Sequence, residues 1–317
     1  MNPGLYQLYA CLADGRLHSG ATLSEGLGIS RAAVWKRVQA LRAIGLEIPA
    51  TAGGGYRLER PIELLDADDI RSQASAAELV VDTVGAVDST NARLAAAGGR
   101  HGHALLAEAQ TAGRGRRGRG WLSPPGSGLY LSLAWHFESG LAGLAPLSLV
   151  VGLTAAETLQ QASSAPITVK WPNDLLAHDR KLGGCLAEMS GAAEGPCRAI
   201  VGIGINLFPT PAMGGLDQAW TTLADHGEPV GRNRLAARLL DALAQSLARF
   251  DRDGFDSFLA RWPAVDALSD RAVRIIHANA SETTGTACGI DGQGRLVLES
   301  AGQRRAIASG EVSVRVR

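Results

Sequence analysis

Apolar residues near the start of the chain return every three or four positions. Beyond about residue 80 many return every second one. Leu5, Leu8, Tyr9 and Leu12 share one helical face, and Gly15 and Gly20 punctuate the stretch after it. Leu23, Leu27 and Ile29 lie around a Gly28 turn, and Ser30 is placed to cap a helix running to about Ile44. On that helix Val34, Val38, Leu41 and Gly45 form one stripe; Arg31, Ala32, Trp35, Lys36 and Gln39 form the opposite one. Two helices joined by a glycine turn, the second presenting Arg, Lys and Gln, predict a helix-turn-helix. Residues 47–50 and 55–58, joined by Thr51-Ala52-Gly53-Gly54, predict a two-stranded wing. A small helical dimerisation domain is the alternative on pattern alone. An outward tryptophan marks a contact surface, and Trp35 suits either DNA bases or the underside of the wing.

Pro61 to about Asp69 reads as a linker into another helix start. Strand and helix patterns then mix: strand-like runs at 80–81 and 84–87, a helix of small residues to Ala97, and strands at 104–109 and 128–137. A helix at 147–161 and a strand at 167–170 precede a hairpin of 175–177 and 181–189 around His178-Asp179-Arg180. A strand at 199–205 ends in Asn206, a loop carries Trp220, and Leu235, Leu239, Leu240, Leu243 and Leu247 mark an amphipathic helix. From about Ser269 only short strands remain, at 273–276, 283–290, 296–299 and in a tail over 306–316. Asp291-Gly292-Gln293-Gly294 is a hairpin turn. Such a run of short strands predicts a small barrel.

The length of 317 residues favours two or three domains. With 31 basic and 31 acidic residues the formal charge is zero, which excludes nonspecific coating of nucleic acid or membrane and makes any basic surface local. Cys11, Cys185, Cys197 and Cys288 fall in no metal-ligand spacing and, with no export signal, suggest reduced thiols in a cytoplasm. The nearly uncharged stretch 141–159 is almost long enough to cross a membrane. Pro146 and the spacing of its large residues make it a core-facing helix instead.

The chemistry concentrates in Thr111-Ala112-Gly113-Arg114-Gly115-Arg116-Arg117-Gly118-Arg119-Gly120-Trp121, where four arginines and four glycines sit together. Glycine lets the main chain wrap closely round a ligand, and arginine offers a planar fork to carboxylate or phosphate oxygens. A solvated basic loop and an RGG-type RNA-binding fragment are the competing readings. A single tract between two strands favours the ligand loop. Asp88-Ser89-Thr90-Asn91, at a strand-to-helix junction, is either an ordinary helix cap or a set of ligand hydroxyls and amides. Lys170-Trp171-Pro172-Asn173-Asp174 and Arg180-Lys181-Leu182-Gly183-Gly184 complete the set.

These motifs, with Gln110 and Gly204-Ile205-Asn206, resemble the biotin–protein ligases. The N-terminal stretch from His18 to Tyr56 is similar to the winged helix of the bifunctional, BirA-type ligase and biotin operon repressor family. The resemblance implies an α+β chain of three units: a winged helix-turn-helix (1–62), a central mixed-sheet catalytic domain like that of class II aminoacyl-tRNA synthetases (66–268), and a small SH3-like β-barrel (269–317). It implies that biotin and ATP, with Mg²⁺, give biotinyl-5′-adenylate, and that a lysine of a biotin carboxyl-carrier protein then takes the biotinyl group. Ser89, Thr90, Asn91 and Gln110 would hold the ureido end of biotin. Arg114, Gly115 and Arg116 would belong to a loop closing over it, with Arg116 and Lys181 catalytic beside the carboxylate and α-phosphate. Gly183 and Gly184 would line the biotin body. Trp121, Asn173 and Asn206, with Arg117 and Arg119, would lie toward the nucleotide. Asp174 is the candidate for the metal, whose ligands are otherwise unassigned. Ser30, Arg31, Ala32, Trp35, Lys36 and Gln39 would face operator DNA. The adenylate-bound chain would form a homodimer acting as a repressor, in the cytoplasm and with no membrane partner. The sequence departs from the family pattern at Gly120, where a bulkier residue is expected, and at Ser309, where a second glycine is common; the latter weakens a role for Arg315. Residues 113–120 lack packing groups, so the free loop is expected to be mobile. A repressor without catalysis, a ligase without regulation and a lipoate ligase are the alternatives.

Overall fold

In a computed structural model all residues are described except 50–53, 77, 216–217, 228–229, 278, 311 and 317. The N-terminal unit holds α1 (Pro3–Leu12), β1 (His18–Ser19), α2 (Gly20–Leu27), α3 (Arg31–Ala43) and β2 (Gly55–Tyr56). Ser30 caps α3 by accepting the Ala33 N–H at 3.2 Å. Gly28 ends α2 at φ 62°, a left-handed turn that glycine adopts without a Cβ penalty. Leu8, Tyr9, Leu12, Val34, Val38 and Leu41 form the core between the helices. Trp35 is 54% exposed, on the outer stripe as expected. The wing differs from expectation. β2 pairs with His18–Ser19, not with the described residues 47–49, and among the described residues a bond from Glu59 N–H to the Glu47 carbonyl (3.0 Å) ties the two arms. The predicted turn at Thr51-Ala52-Gly53 lies outside the described residues.

The central sheet is built from β3 (Val80–Val84), β4 (His103–Ala107), β5 (Gly128–Phe137), β6 (Ile167–Lys170), β7 (Asp174–Ala177), β8 (Arg180–Gly191) and β9 (Cys197–Asn206). Its order is β3-β4-β5-β9-β8-β7-β6; only β3 and β4 run parallel, so the sheet is mixed as expected. β3 ends at Val84, short of the predicted Val87, which makes a single bridge to Gln110. Around the sheet lie α4 (Ala67–Gln73), α5 (Thr90–Ala96), α6 (Leu147–Gln160), α7 (Arg232–Asp253) and the short α8 (Asp256–Leu259), which has no signal in the apolar pattern.

Strand alternation gives the sheet two faces. Leu129, Leu131, Leu133, Val201, Ile203 and Ile205 join the core with α6 and α7. Tyr130, Ser132, Gly202 and Gly204 alternate with them, so the second face is bare along β9. α5 covers one end of it through Leu94 on Leu105, Ala134 and Ile200. The stretch Leu141–Gln160 passes the length and hydropathy test for a membrane span, but α6 within it is buried from Leu147 to Leu159 at nearly every position. The C-terminal unit is a five-stranded antiparallel sheet of β10 (Ala272–Ile276), β11 (Glu282–Ile290), β12 (Leu296–Ser300), β13 (Gln303–Ile307) and β14 (Ser313–Val316), ordered β13-β12-β11-β10-β14. The single tail predicted over 306–316 is two strands.

The winged unit is fastened to the central one by a buried node. Arg232, at the start of α7, lies 2.8 Å from Glu108, and the two are 2% and 1% exposed. Tyr9 of α1 donates to Glu108 Oε2 at 3.0 Å, and the Leu65 N–H donates to Oε1 at 2.6 Å. Arg60 donates to the Gly126 carbonyl at 2.7 Å and lies 3.7 Å over the Phe208 ring, where burial pulls its pKa down to about 10.

Candidate active site

The bare face of β8 and β9 is the floor of a cavity of about 340 Å³. Gly184 and Gly204 are register partners there. The Trp121 ring lies against them: a Cβ on Gly204 would fall 2.5 Å from the indole nitrogen. Glycine at that position is therefore a requirement of close approach.

At one end the cavity is lined by Ser89, Thr90, Asn91 and Gln110. Ser89 caps α5, accepting the Ala92 N–H at 3.4 Å, and also lines the cavity. Gln110 Oε1 accepts from the Thr90 N–H (2.9 Å) and lies 3.1 Å from its hydroxyl, and its Nε2 donates to Ser123 Oγ (2.9 Å). One amide hydrogen remains for a ligand. Asn91 is held at both ends of its amide. It is buried, its Nδ2 donates to Glu188 at 2.8 Å and its Oδ1 lies 2.5 Å from Ser132 Oγ. One Nδ2 hydrogen remains beyond these contacts, and Asn91 lines the cavity.

Arg114 stands beside that end, since Asn91 and Arg114 both contact Glu188, and Gly115, Arg116, Arg119 and Lys181 line the rest toward Asp174. The loop is not free of partners, contrary to the expectation that it lacks packing. Arg114 pairs with Glu188 at 3.3 Å, the Gly115 N–H donates to the Arg119 carbonyl at 2.7 Å, and the Trp121 N–H donates to the Gly113 carbonyl at 2.8 Å. Arg116 donates to the carbonyls of Ser309 and Gly310, and Arg117 to Ser313 Oγ at 2.9 Å. The tip turns through Arg117 at φ 59° and Gly118 at φ 69°. Burial, with Arg119 beside it, pulls the Arg116 guanidinium below its usual pKa. Lys181 Nζ is 2.6 Å from Asp174 and 5.5 Å from the centre of the Trp121 ring.

Two predicted residues do not line the cavity. Gly183 faces the core side, where a Cβ would meet the Gly204 carbonyl at 2.6 Å, and Arg117 points to the C-terminal sheet. Asn173 and Asn206 do line it, but their amide nitrogens donate to Cys185 O (2.7 Å) and Thr221 O (3.2 Å), so they brace strands. Asp174 is the one carboxylate among the described lining residues, and no cluster of three metal-ligating side chains occurs among the described residues. Gly202, Gly204, Trp220 and Arg315 also line the cavity and were not assigned from sequence. The alternation Val201-Gly202-Ile203-Gly204-Ile205 was a readable sign of a bare strand face. Arg315 carried no such sign, because it arrives from another unit. Cys185 lies at the floor with its thiol pushed up to about 12 by burial, so it is no nucleophile.

A groove with hydroxyls and amides, bare backbone along its floor, and a lysine with arginines is shaped for a ligand with a polar head and an anionic group. Sequence comparison sharpens this. Residues 86–206 match the Biotin/lipoate A/B protein ligase family, 268–315 the Biotin protein ligase C terminal domain, and 5–57 an HTH domain. The chain is 43% identical to the Bifunctional ligase/repressor BirA of Salmonella typhimurium, over 97% of this chain and 96% of that one. It is 41% identical to the protein of that description from Escherichia coli, over 98% and 96%. The structure of Biotin protein ligase from Aquifex aeolicus in complex with biotin and ATP superposes with TM-score 0.65 and 30% identity, covering 75% of this chain and 99% of that one. The chain belongs to the biotin–protein ligase family, with the helix-turn-helix of its bifunctional ligase/repressor members.

Proposed function

We propose that the chain activates biotin with ATP and transfers it to a lysine of a biotin carboxyl-carrier protein, and that it also represses transcription with the adenylate as corepressor. The observation that carries the ligase reading is that Lys181, Arg116 and Arg119 line a groove that also offers Ser89, Thr90 and Gln110. A carboxylate is a poor acceptor for an amine at neutral pH. In this reading a biotin carboxylate oxygen attacks the α-phosphate of ATP, pyrophosphate leaves, and the mixed anhydride forms. The carrier amine then displaces AMP and loses a proton. The cations offset the repulsion of the approaching anions, and each charge-assisted bond contributes about 1.5–3 kcal/mol. Mg²⁺ would come with the ATP phosphates, and Asp174 would supply the protein's carboxylate to it.

The three units are taken as residues 1–62, 66–268 and 269–317, the second like class II aminoacyl-tRNA synthetases and the third an SH3-like barrel. The repressor reading is favoured by the exposed Trp35 among Arg31, Lys36 and Gln39 on α3. A two-fold homodimer would present two such helices to an inverted repeat. Biotin-dependent ATP–pyrophosphate exchange tests the ligase. Failure of exchange with biotin, or equal exchange with lipoate, sinks it. Sedimentation and DNA-shift measurements with biotin and ATP, then with excess apo-carrier, test the repressor. A chain that stays monomeric, or binds its operator equally without adenylate, leaves only the ligase.

A further inference from the structure

Glu188 on β8 touches two elements that the cavity needs. Its Oε2 accepts from Asn91 Nδ2 at 2.8 Å, and its carboxylate pairs with Arg114 of the arginine loop at 3.3 Å. A carboxylate only accepts, so Glu188 fixes the Asn91 amide with Nδ2 toward itself and Oδ1 toward Ser132, whose hydroxyl donates. Asn91 cannot move aside, because Gly202 lies beneath it so closely that a Cβ there would be 2.4 Å from Oδ1. Ser132 Oγ is also 2.7 Å from Thr90 Oγ1. With the Ser132 proton on Asn91 Oδ1, Ser132 Oγ accepts the Thr90 hydroxyl; the Thr90 N–H donates to Gln110 Oε1, Gln110 gives Nε2 to Ser123, and Ser123 reaches the Trp121 carbonyl at 3.3 Å. One chain of contacts thus runs under the head-group end of the cavity and joins both stems of the arginine loop, Arg114 and Trp121.

We propose that Glu188 is a positioning residue for biotin: its carboxylate sets the direction of this hydrogen-bond chain and anchors the stem of the loop. This rests on the ligase reading above. A cyclic urea offers one carbonyl and two N–H groups, so its recognition depends on which way each surrounding hydroxyl and amide points. Without the negative charge at 188 the Asn91 amide is free to turn over and present Nδ2 to Ser132, which reverses the donors beneath Thr90. At the same time Arg114 loses its only ion pair among the described residues. Both effects fall on the biotin end and neither on the nucleotide end.

The test is biotin-dependent ATP–pyrophosphate exchange by the full chain, with biotin and ATP varied separately, for Glu188→Ala, Glu188→Gln, Arg114→Ala and the Glu188→Ala/Arg114→Ala pair. Glu188→Ala is expected to raise the biotin KM about tenfold, as loss of a charge-assisted bond requires. The ATP KM, kcat and melting temperature should stay near wild type. Glu188→Gln keeps the shape and one acceptor, so it should raise the biotin KM less. The pair should raise it by less than the product of the two single changes, because they share a contact. An unchanged biotin KM, an equal rise for ATP, or fully multiplicative effects overturn the proposal. Should Glu188→Ala fail to fold, Glu188→Gln carries the same comparison. Wild-type chain without exchange activity overturns the ligase reading and this proposal with it, whereas active wild type with an indifferent Glu188→Ala overturns the proposal alone.

Discussion

Two ion pairs in this protein use the same chemistry for opposite ends. Arg232 and Glu108 are almost wholly enclosed, and Glu108 also takes hydrogen bonds from Tyr9 and Leu65. Lys181 and Asp174 are about one-fifth exposed, and both line the cavity. In the first pair groups from α1, the linker and α7 enclose the two charges, with the Arg232 Nε left without a partner among the described residues, so neither can change partner without opening the molecule. In the second, an arriving phosphate or carboxylate can compete for Lys181. Charge that must stay put is surrounded by protein. Charge that must act is left facing space.

The largest expected effect breaks the first pair. Arg232→Ala leaves the Glu108 carboxylate buried without its cation and should cost about 3–5 kcal/mol, read as a lowered midpoint in urea or heat. A loss under about 1 kcal/mol would mean that water reaches the node and that the contrast with Lys181 is one of degree. Replacing Arg232 and Glu108 together by Met and Leu should restore part of the loss, since the penalty lies in the orphaned charge.

Lys181→Ala sharpens the contrast from the other side. It should leave the melting temperature near wild type while slowing pyrophosphate exchange by about 100-fold or more, because a cation between approaching anions acts mainly in the transition state. Near-normal exchange would remove Lys181 from the chemistry. Arg116→Gly is expected to do less to adenylate formation and more to retention. Arg116 is bonded to the Ser309 and Gly310 carbonyls, so the loop already has a docked position that this side chain holds. Adenylate should leave about tenfold faster, the effect of roughly 1.4 kcal/mol, followed by release of labelled adenylate on a desalting column. Unchanged retention would mean that the remaining loop contacts suffice.

The smallest effect returns to the buried node. Tyr9→Phe removes one hydroxyl from Glu108 and should cost about 1 kcal/mol in denaturant unfolding. Burial and the neighbouring Glu108 push the Tyr9 pKa well above its ordinary value, so folding favours its protonated form. That contribution is fully present below the ordinary value of about 10 and is lost as pH rises toward the folded one. Alkaline unfolding of Tyr9→Phe should accordingly show a smaller loss of stability above pH 10 than wild type. An identical alkaline profile would take Tyr9 out of the node.

What the sequence determined by itself was local. The helix-turn-helix was legible because Ser30 caps, Gly28 turns and Val34, Val38 and Leu41 repeat with helical period, all within a few residues of one another. The cavity's chemical groups were legible because glycines beside Arg and Lys have few uses in a core. The wing's pairing with His18–Ser19 was not, since it joins positions on either side of two helices. Only the tertiary structure decided who partners whom. It brought Arg315 from the last strand to the cavity, turned Gly183 away from it, spent both ends of Asn91 on Ser132 and Glu188, and enclosed Arg232 with Glu108 across 124 positions of chain. The physical reason is range. Caps, turns and periodicity are set by neighbours in sequence, whereas the partner that satisfies a side chain in the interior is set by which strands and helices pack against each other.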